Sequence, residues 1–177
     1  YGFHGTSHKY ITEKMQEVLG KDDCNLIICH VGSGASISAI RDGKCYDTTM
    51  GLTPLDGLMM GTRSGDIDPA IVTYLAAKLN KSADDVMNIL NKKSGLLGVS
   101  GISSDARDIV NGVKSGHELA TLARKMHVNT VANFVGQYFV ELGGCDAMVF
   151  TAGLGENDFE FRAELCEKLQ GALGIEL

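Results

Sequence analysis

The chain has 177 residues, 44% of them hydrophobic, and its 16 Lys and Arg against 22 Asp and Glu give a formal net charge of −6. This length is enough for one domain with a full core, so we expect a single domain. The acidic balance argues against a nucleic-acid-binding surface, which needs clustered basic side chains. Every apolar run is far shorter than the roughly 20 residues that cross a bilayer, so we expect no membrane contact.

Neither the first residues nor the cysteines point to secretion. The chain begins without an initiator methionine, a basic segment or an apolar leader, so we expect a cytoplasmic protein cut from something longer. The cysteines are odd in number and form no CxxC pair, which favours reduced core thiols over a redox or metal role. They are Cys24, Cys29, Cys45, Cys145 and Cys166.

The first part of the chain predicts a helix followed by three antiparallel strands. Residues 7–20 have helical spacing with Ser7 or Thr6 as N-cap and Gly20 as C-cap. An apolar run at 25–31 and an alternating stretch at 35–40 predict two strands joined by a glycine turn. Asp42-Gly43 is a hairpin signal, so 45–49 is predicted to return as the third strand.

The remainder of the chain predicts mainly helices, with one more buried strand. Residues 50–65 and 94–101 are rich in glycine and are predicted to be irregular loops, the first of them functional. Helical periodicity and capping residues predict helices at 69–77, from Ser103 or Ser104 to Val113 and at 158–169. A capping box of Ser82 and Asp85 predicts a further helix at 83–90, and a long helix at 117–142 is predicted to end at Gly143-Gly144. Residues 145–151 predict a strand and 152–157 a turn. This order implies an α/β layer architecture with ligands above the strand ends.

Two glycine turns follow the buried strands and are candidate anion sites. The first contains His30, Val31, Gly32, Ser33 and Gly34. Its small residues let backbone amides approach a phosphate, although an ordinary glycine hairpin has the same pattern.

The second turn contains Gly153, Leu154, Gly155, Glu156 and Asn157 and leads into a helix, whose N-terminus favours negative charge. A G-x-G pattern alone is too weak to predict a dinucleotide-binding fold. Two such turns together make a phosphate-containing ligand the better interpretation.

Other polar residues could act on a phosphoryl group. His4 and His8 are spaced like a metal pair, but Gly5 lies between them and no third ligand is near, so we expect no metal site. His4 could donate to a phosphoryl oxygen or simply cap the helix. Arg63, between two glycines, could clamp phosphate as a planar fork or form a surface salt bridge.

Asp105 and Arg107 lie at the start of a helix behind a glycine loop. A carboxylate there could face a ligand, or Asp105 could only cap the helix.

Five blocks of sequence resemble the acetate and propionate kinase family, in order and along the whole chain. They are YGFHGTSH at 1–8, CHVGSGAS at 29–36, TPLDGLMMGTRSGDIDP at 53–69, NKKSGLLG at 91–98 and FTAGLGEN at 150–157. The resemblance implies the actin and sugar-kinase type of fold, in which two ribonuclease-H-like domains close over ATP and substrate. It implies that residues 1–177 are most of the C-terminal, nucleotide-binding domain, without the N-terminal domain.

The resemblance also implies roles for single residues. His4 and Arg63 match the residues that stabilise the transferring phosphoryl group. The turn 30–34 matches the phosphate contact, Asp105, Ala106 and Arg107 match an adenosine-side segment, and 153–157 match the nucleotide-binding turn. Two positions depart from the family pattern: Ser33 stands where Asn is usual, which puts a phosphate contact in doubt, and Ala106 where an aromatic is usual.

The implied activity is reversible transfer of the γ-phosphoryl group of ATP to acetate, giving acetyl phosphate and ADP. The resemblance implies Mg²⁺ with ligands outside this chain, a carboxylate pocket in the absent domain, and a homodimer with contacts through 117–142. Two alternatives stay open, a propionate kinase and a nucleotide-binding, actin-like module without catalysis. Two phosphoryl-directed donors, His4 and Arg63, favour an enzyme over the module.

Overall fold

The computed structural model describes residues 2–174, which are organised around one four-stranded mixed sheet. Its strands are β1 Leu26–Val31, β2 Ala35–Arg41, β3 Lys44–Thr48 and β4 Ala147–Thr151. The spatial order is β3-β2-β1-β4, with antiparallel pairing from β1 through β3 and parallel pairing of β4 with β1. The predicted meander and the later strand are therefore confirmed. Tyr1, the first residue of the 1–8 block, lies outside the described residues.

The β2–β3 hairpin turns at the predicted dipeptide. Asp42 and Gly43 have φ angles of 50° and 71°. A two-residue turn with positive φ at both positions matches the right-handed twist of the strands it joins. The turn therefore sets the register that pairs Arg41 with Lys44.

Eight helices surround the sheet within residues 2–174, and those predicted from periodicity are present within a few residues of their expected ends. They are α1 Gly5–Leu19, α2 Ala70–Leu79, α3 Ala83–Lys92, α4 Gly95–Ser100, α5 Ala106–Lys114, α6 Glu118–Leu142, α7 Ala152–Asn157 and α8 Phe159–Leu173. Ser82 and Asp85 form the predicted capping box before α3. Pro69 precedes α2 as its N-cap and is not its first residue. Residues 49–69 are irregular, as predicted.

The predicted loop at 94–101 is wrong, because residues 95–100 form α4. Gly95 enters the helix with φ +61°, a conformation that glycine tolerates. The amide of Leu96 then donates to the Met60 carbonyl and that of Leu97 to the Gly61 carbonyl, both at 2.9 Å. Leu96 is also buried. Long-range hydrogen bonds and burial therefore override the weak helix propensity of a glycine-rich segment.

The predicted turn at 152–157 is also wrong, because these residues form α7. The side-chain amide of Asn157 donates to the Gly153 carbonyl at 2.8 Å. Arg162, on the next helix, donates to the carbonyls of Gly155 and Glu156 at 2.9 and 2.7 Å. These carbonyls would otherwise lack partners at the helix end. A side chain ten residues downstream of its start thus completes α7, which no local pattern indicates.

Helices cover both faces of the sheet. Ile27, Cys29 and Val31 point into the main core, where α6 and α8 pack. Leu26 and Ile28 point to the other face, which packs against α1. Successive residues of β1 are buried on opposite faces, as expected for a sheet inside an α/β architecture. The fold class predicted from the element order is confirmed.

The cysteine prediction holds in part. The described cysteines are all free; Cys24, Cys29 and Cys166 are buried and Cys145 is partly buried. Cys45 is exposed, so its predicted core position is wrong. It lies on β3, an edge strand whose first three residues are exposed. No helix within residues 2–174 has the length and apolar character needed to cross a membrane.

A buried histidine predicts an acid-sensitive fold. His127 of α6 is 2% exposed and packs against Phe161; burial, and then the nearby charge of Arg124, lower its pKa from 6.5 to about 4. The unfolded chain then binds the proton more tightly, so stability falls as the pH drops from 6.5 toward 4. We expect His127 alone to lower the free energy of unfolding by about 2 kcal/mol between pH 7 and pH 5.

Urea unfolding at the two pH values measures this loss. The His127→Leu variant, which cannot be protonated there, should lose about 2 kcal/mol less than the wild type over the same interval. An equal loss in both proteins would show that His127 is not the group responsible.

Candidate active site

The site lies where the two parallel strands end side by side. His30 of β1 is in register with Thr151 of β4. The turn 32–34 leaves β1 and α7 leaves β4 at the same edge of the sheet. Ala152 begins α7 with φ 68°, an uncommon conformation for a residue with a side chain. The local geometry therefore places both candidate turns next to each other.

A cleft of about 930 Å³ opens at this edge. It is lined by the turn 32–34, residues 61–63, residues 104–107 and helix α7, including Gly153, Leu154 and Asn157. This volume is in the range of sites for small ligands and cofactors. The structure thus brings most of the predicted binding residues to one cleft, although four separate segments supply them.

Four residues predicted to bind nucleotide do not line this cleft. Val31 is fully buried in the core. Gly155 is buried over the β1 backbone, and Glu156 accepts a hydrogen bond from Thr151 at 3.3 Å. The ring of His30 stacks on His4, with centroids 4.0 Å apart. These four residues support the two glycine-rich segments from behind, and none of them lines the cleft.

His4 and Arg63 both approach Gly34. A Cβ added at Gly34 would lie 3.4 Å from Nη1 of Arg63 and 3.6 Å from Nε2 of His4. The absence of a side chain at Gly34 therefore leaves a space that both groups reach. The two predicted phosphoryl-directed residues thus meet at the phosphate turn.

Arg63 is half-buried and is held by neutral groups. Its Nη1 donates to the Pro54 carbonyl at 3.0 Å and lies 3.3 Å from the Met60 sulfur. Among residues 2–174, no carboxylate lies within ion-pair distance of it. Arg63 therefore does not form the surface salt bridge that was the alternative prediction, as far as residues 2–174 are concerned. A guanidinium without a carboxylate partner, beside a glycine turn, can bind an anion.

His4 precedes α1, as expected, but its side chain does not cap the helix. Its φ of 57° places it in the left-handed region, and its Nδ1 lies 2.8 Å from Oγ of Ser36 on β2. Burial, and then the charge of Arg63, lower the pKa of His4 below its ordinary value of 6.5. His4 is therefore a neutral imidazole at pH 7, one of whose ring nitrogens can donate a hydrogen bond.

Asp105 caps α5, in place of the predicted Ser103 or Ser104. Its carboxylate accepts from the Arg107 amide at 2.9 Å and from the Arg107 guanidinium at 2.6 Å. This pairing with Arg107 lowers the pKa of Asp105 to about 2. The Ser103 hydroxyl accepts a hydrogen bond from the Asp105 amide, and this contact holds Asp105 in the N-cap position of α5. The capping alternative is confirmed, and the capped segment also lines the cleft.

Sequence reasoning missed the residues that hold the site from behind. Ser7 lies 2.9 Å from Nδ1 of His30. The buried Arg124 of α6 contacts Asp158 at 2.6 Å and Glu164 at 3.0 Å, which fixes the start of α8 directly behind Asn157. A charged residue on the apolar face of a long helix was the available signal for Arg124.

The described residues do not form a magnesium site. No group of three or more His, Cys, Asp or Glu side chains within residues 2–174 is arranged to hold a metal ion. The donor set at the cleft, which is rich in amides and guanidinium groups, suits phosphate oxygens and not a divalent cation. The roles proposed for His4 and Arg63 therefore do not require a metal held by residues 2–174.

The fold and the site define a class of protein. A mixed sheet covered on both faces, with a glycine-rich segment after each of two parallel strands, fits the actin and sugar-kinase type of fold. Within that class, the chain belongs to the acetokinase family, whose family model matches residues 1–177.

Named relatives are similar along the whole chain. An acetate kinase of Treponema denticola is 52% identical over 179 residues, which cover 100% of this chain and 45% of that protein. The crystal structure of Porphyromonas gingivalis acetate kinase matches with a TM-score of 0.95 and 47% identity over 99% of this chain and 44% of that one. The crystal structure of a propionate kinase from Francisella tularensis matches with a TM-score of 0.93 and 47% identity, over 97% of this chain and 44% of that one. The chain thus spans a little under half the length of these relatives.

Proposed function

We propose that the protein carrying this chain is an acetate kinase, which transfers the γ-phosphoryl group of ATP to acetate reversibly and yields acetyl phosphate and ADP. The observation that carries the proposal is the approach of His4 and Arg63 to Gly34, both within 3.6 Å of the position that a Cβ would take there. Membership of the acetokinase family supports it, as do the names of the similar proteins.

Each part of the cleft has a chemical task in this proposal. The phosphates lie at Ser33 and Gly34, where a turn of small residues lets backbone amides approach an anion. The Gly32 amide donates to the Gly34 carbonyl at 3.1 Å and so holds the shape of the turn. In the transition state, negative charge spreads over the oxygens of the transferring group, and the Arg63 fork and the His4 N–H stabilise it there. Ribose and base extend toward residues 105–107 and the start of α7.

The rest of the protein must complete this site. We propose that residues 1–177 form most of the C-terminal nucleotide-binding domain of a cytoplasmic enzyme. The carboxylate pocket and the Mg²⁺ ligands then come from parts of the protein outside this chain. The absence of a metal-ligand cluster among the described residues is compatible with this division, and relatives of roughly twice the length leave room for it.

A homodimer through α6 is part of the proposal and gives a testable prediction. Leu119, Leu122 and Met126 are each at least 40% exposed and lie at helical spacing on one side of α6. Apolar side chains grouped in this way favour contact with a second copy. We expect light scattering to give the mass of a dimer for the complete protein, and the Leu122→Glu variant to be shifted toward monomer. A monomeric wild type would contradict the proposal.

The substrate test compares two carboxylates. The complete protein is incubated with MgATP and either acetate or propionate, and hydroxylamine traps the acyl phosphate as a hydroxamate. We expect product from acetate, with the higher kcat/KM for that substrate. A clear preference for propionate would support the alternative that the Francisella tularensis relative suggests. Nucleotide binding without hydroxamate would support the non-catalytic module.

A further inference from the structure

A buried serine connects His8 with His4, the histidine beside Gly34. Oγ of Ser36 lies 2.8 Å from Nδ1 of His4 and 2.8 Å from Nε2 of His8. Ser36 is fully buried and His8 is 3% exposed. His8 belongs to α1, and Ser36 belongs to β2, so the connection joins the helix to the sheet.

The protons in this connection can be counted. A serine hydroxyl has one hydrogen and two lone pairs. If it accepted from both ring nitrogens, its own buried hydrogen would have no acceptor, so it donates to one ring nitrogen and accepts from the other. Burial, followed by the nearby His30 and His4, lowers the pKa of His8 to about 4, so His8 is neutral at pH 7 and carries one ring proton. The order of the hydrogen bonds therefore depends on which nitrogen of His8 holds that proton.

The unpartnered Nδ1 atom of His8 decides the direction of these hydrogen bonds. Nδ1 of His8 is buried and has no hydrogen-bond partner among the described residues. Nδ1 lacks a partner in either tautomer, but a proton on it would make a buried N–H without an acceptor, which proteins tolerate less readily than an unpaired lone pair. A proton on Nε2 is satisfied by Ser36. His8 thus donates from Nε2 to Ser36, and Ser36 donates its own hydrogen to Nδ1 of His4.

We propose that His8, acting through the hydroxyl of Ser36, fixes His4 in the tautomer with its proton on Nε2, the nitrogen beside Gly34 and Arg63. This inference rests on the proposed function, since it assigns His8 and Ser36 as positioning residues for a phosphoryl donor. In the opposite tautomer, His4 would present a bare lone pair to a phosphoryl oxygen and repel it. His4 can then donate a hydrogen bond from Nε2 without carrying a positive charge.

The tautomer can be observed directly. Two-bond ¹H–¹⁵N correlation spectra of the complete, ¹⁵N-labelled protein distinguish a protonated from a bare ring nitrogen. For the wild type we expect protonated Nε2 and bare Nδ1 in both His4 and His8. His4 with its proton on Nδ1 would overturn the proposal, whatever the activity of the protein.

Variants of Ser36 and His8 test the connection. Ser36→Ala removes the bridging hydroxyl, and we expect mixed tautomers of His4 and a fall in kcat of at least about 10-fold, since a wrongly oriented histidine is a costly defect. His8→Gln retains an N–H donor and should keep more activity than His8→Leu. If the His8 variants fail to fold, Ser36→Thr, which keeps the hydroxyl, should restore the wild-type tautomer.

Ser38→Ala is the matched control. Ser38 lies two residues further on the same face of β2, is 1% exposed, and donates to Thr48 instead of a histidine. This variant should leave the His4 tautomer and kcat unchanged. An equal loss of kcat in both serine variants, with an unchanged His4 tautomer, would contradict the proposal. The predicted tautomer together with a fully active His4→Ala variant would instead contradict the proposed function and leave the hydrogen-bond order standing.

Discussion

Arg63→Ala in the complete protein is expected to lower kcat about 100-fold or more, with a much smaller effect on the KM for ATP. Arg63 has no carboxylate partner among residues 2–174, and its Nη1 reaches the space beside Gly34. The charge on the transferring phosphoryl group spreads over its oxygens as the reaction proceeds, so a fixed guanidinium stabilises the transition state more than bound ATP. Steady-state kinetics over a range of ATP concentrations separate the two effects.

Arg107→Ala is the matched control, because it also removes one guanidinium from the same cleft. Arg107 is exposed, pairs with Asp105, and lies on the side where the ribose and base are placed. Its loss should raise the KM for ATP and change kcat little. An Arg63→Ala enzyme as fast as the wild type, or one changed only in KM, would show that Arg63 is not the group that stabilises the transition state.

The 177-residue chain by itself is expected to fold and bind ADP weakly but to form no acetyl phosphate above the uncatalysed background. Folding is expected because its sheet is covered on both faces and its main core is continuous. Turnover is not expected because phosphoryl transfer depends on positioning and charge neutralisation, and the residues described here form no magnesium site. We therefore expect acetyl phosphate formation by the complete protein and none above background by the chain alone.

Three measurements on matched samples check it. Circular dichroism with a cooperative thermal transition shows folding, calorimetry with ADP shows binding, and hydroxamate formation from acetate and MgATP shows turnover. The complete protein, assayed in parallel, must be active for the comparison to hold. Robust turnover by the chain alone would mean that the catalytic groups are all within it.

Sequence patterns predicted those elements whose signals are local. The capping box at Ser82 and the left-handed caps at Gly20 and Gly143 lie where the sequence placed them, because a cap depends on residues within one turn. The short helices α4 and α7 were missed because groups outside each helix stabilise them. The carbonyls of Met60 and Gly61 lie outside any local window around α4. Arg162 is near α7 in sequence but belongs to the next helix, whose periodicity does not indicate that its side chain bonds the α7 carbonyls.

The same distinction applies to the site. The meeting of the glycine-rich segments 32–34 and 152–157 could be predicted, because neighbouring parallel strands end at the same edge of a sheet, although the second segment is the helix α7 and not a turn. The hydroxyl of Ser36 could not be singled out, because one among several alternating serines gains its meaning only from His4 and His8 on another element. The roles of His4 and Arg63 stay predictions, which the resemblance suggested and the geometry of Gly34 supports.

The most direct test of the central claim is a ³¹P NMR time course of the complete protein with MgATP and acetate. We expect the γ-phosphate resonance of ATP to decline while the resonances of acetyl phosphate and ADP rise in equal amounts. His4→Ala and Arg63→Ala should each slow this transfer about 100-fold or more. Unchanged ATP, ATP converted only to ADP and inorganic phosphate, or full transfer by both variants would contradict it.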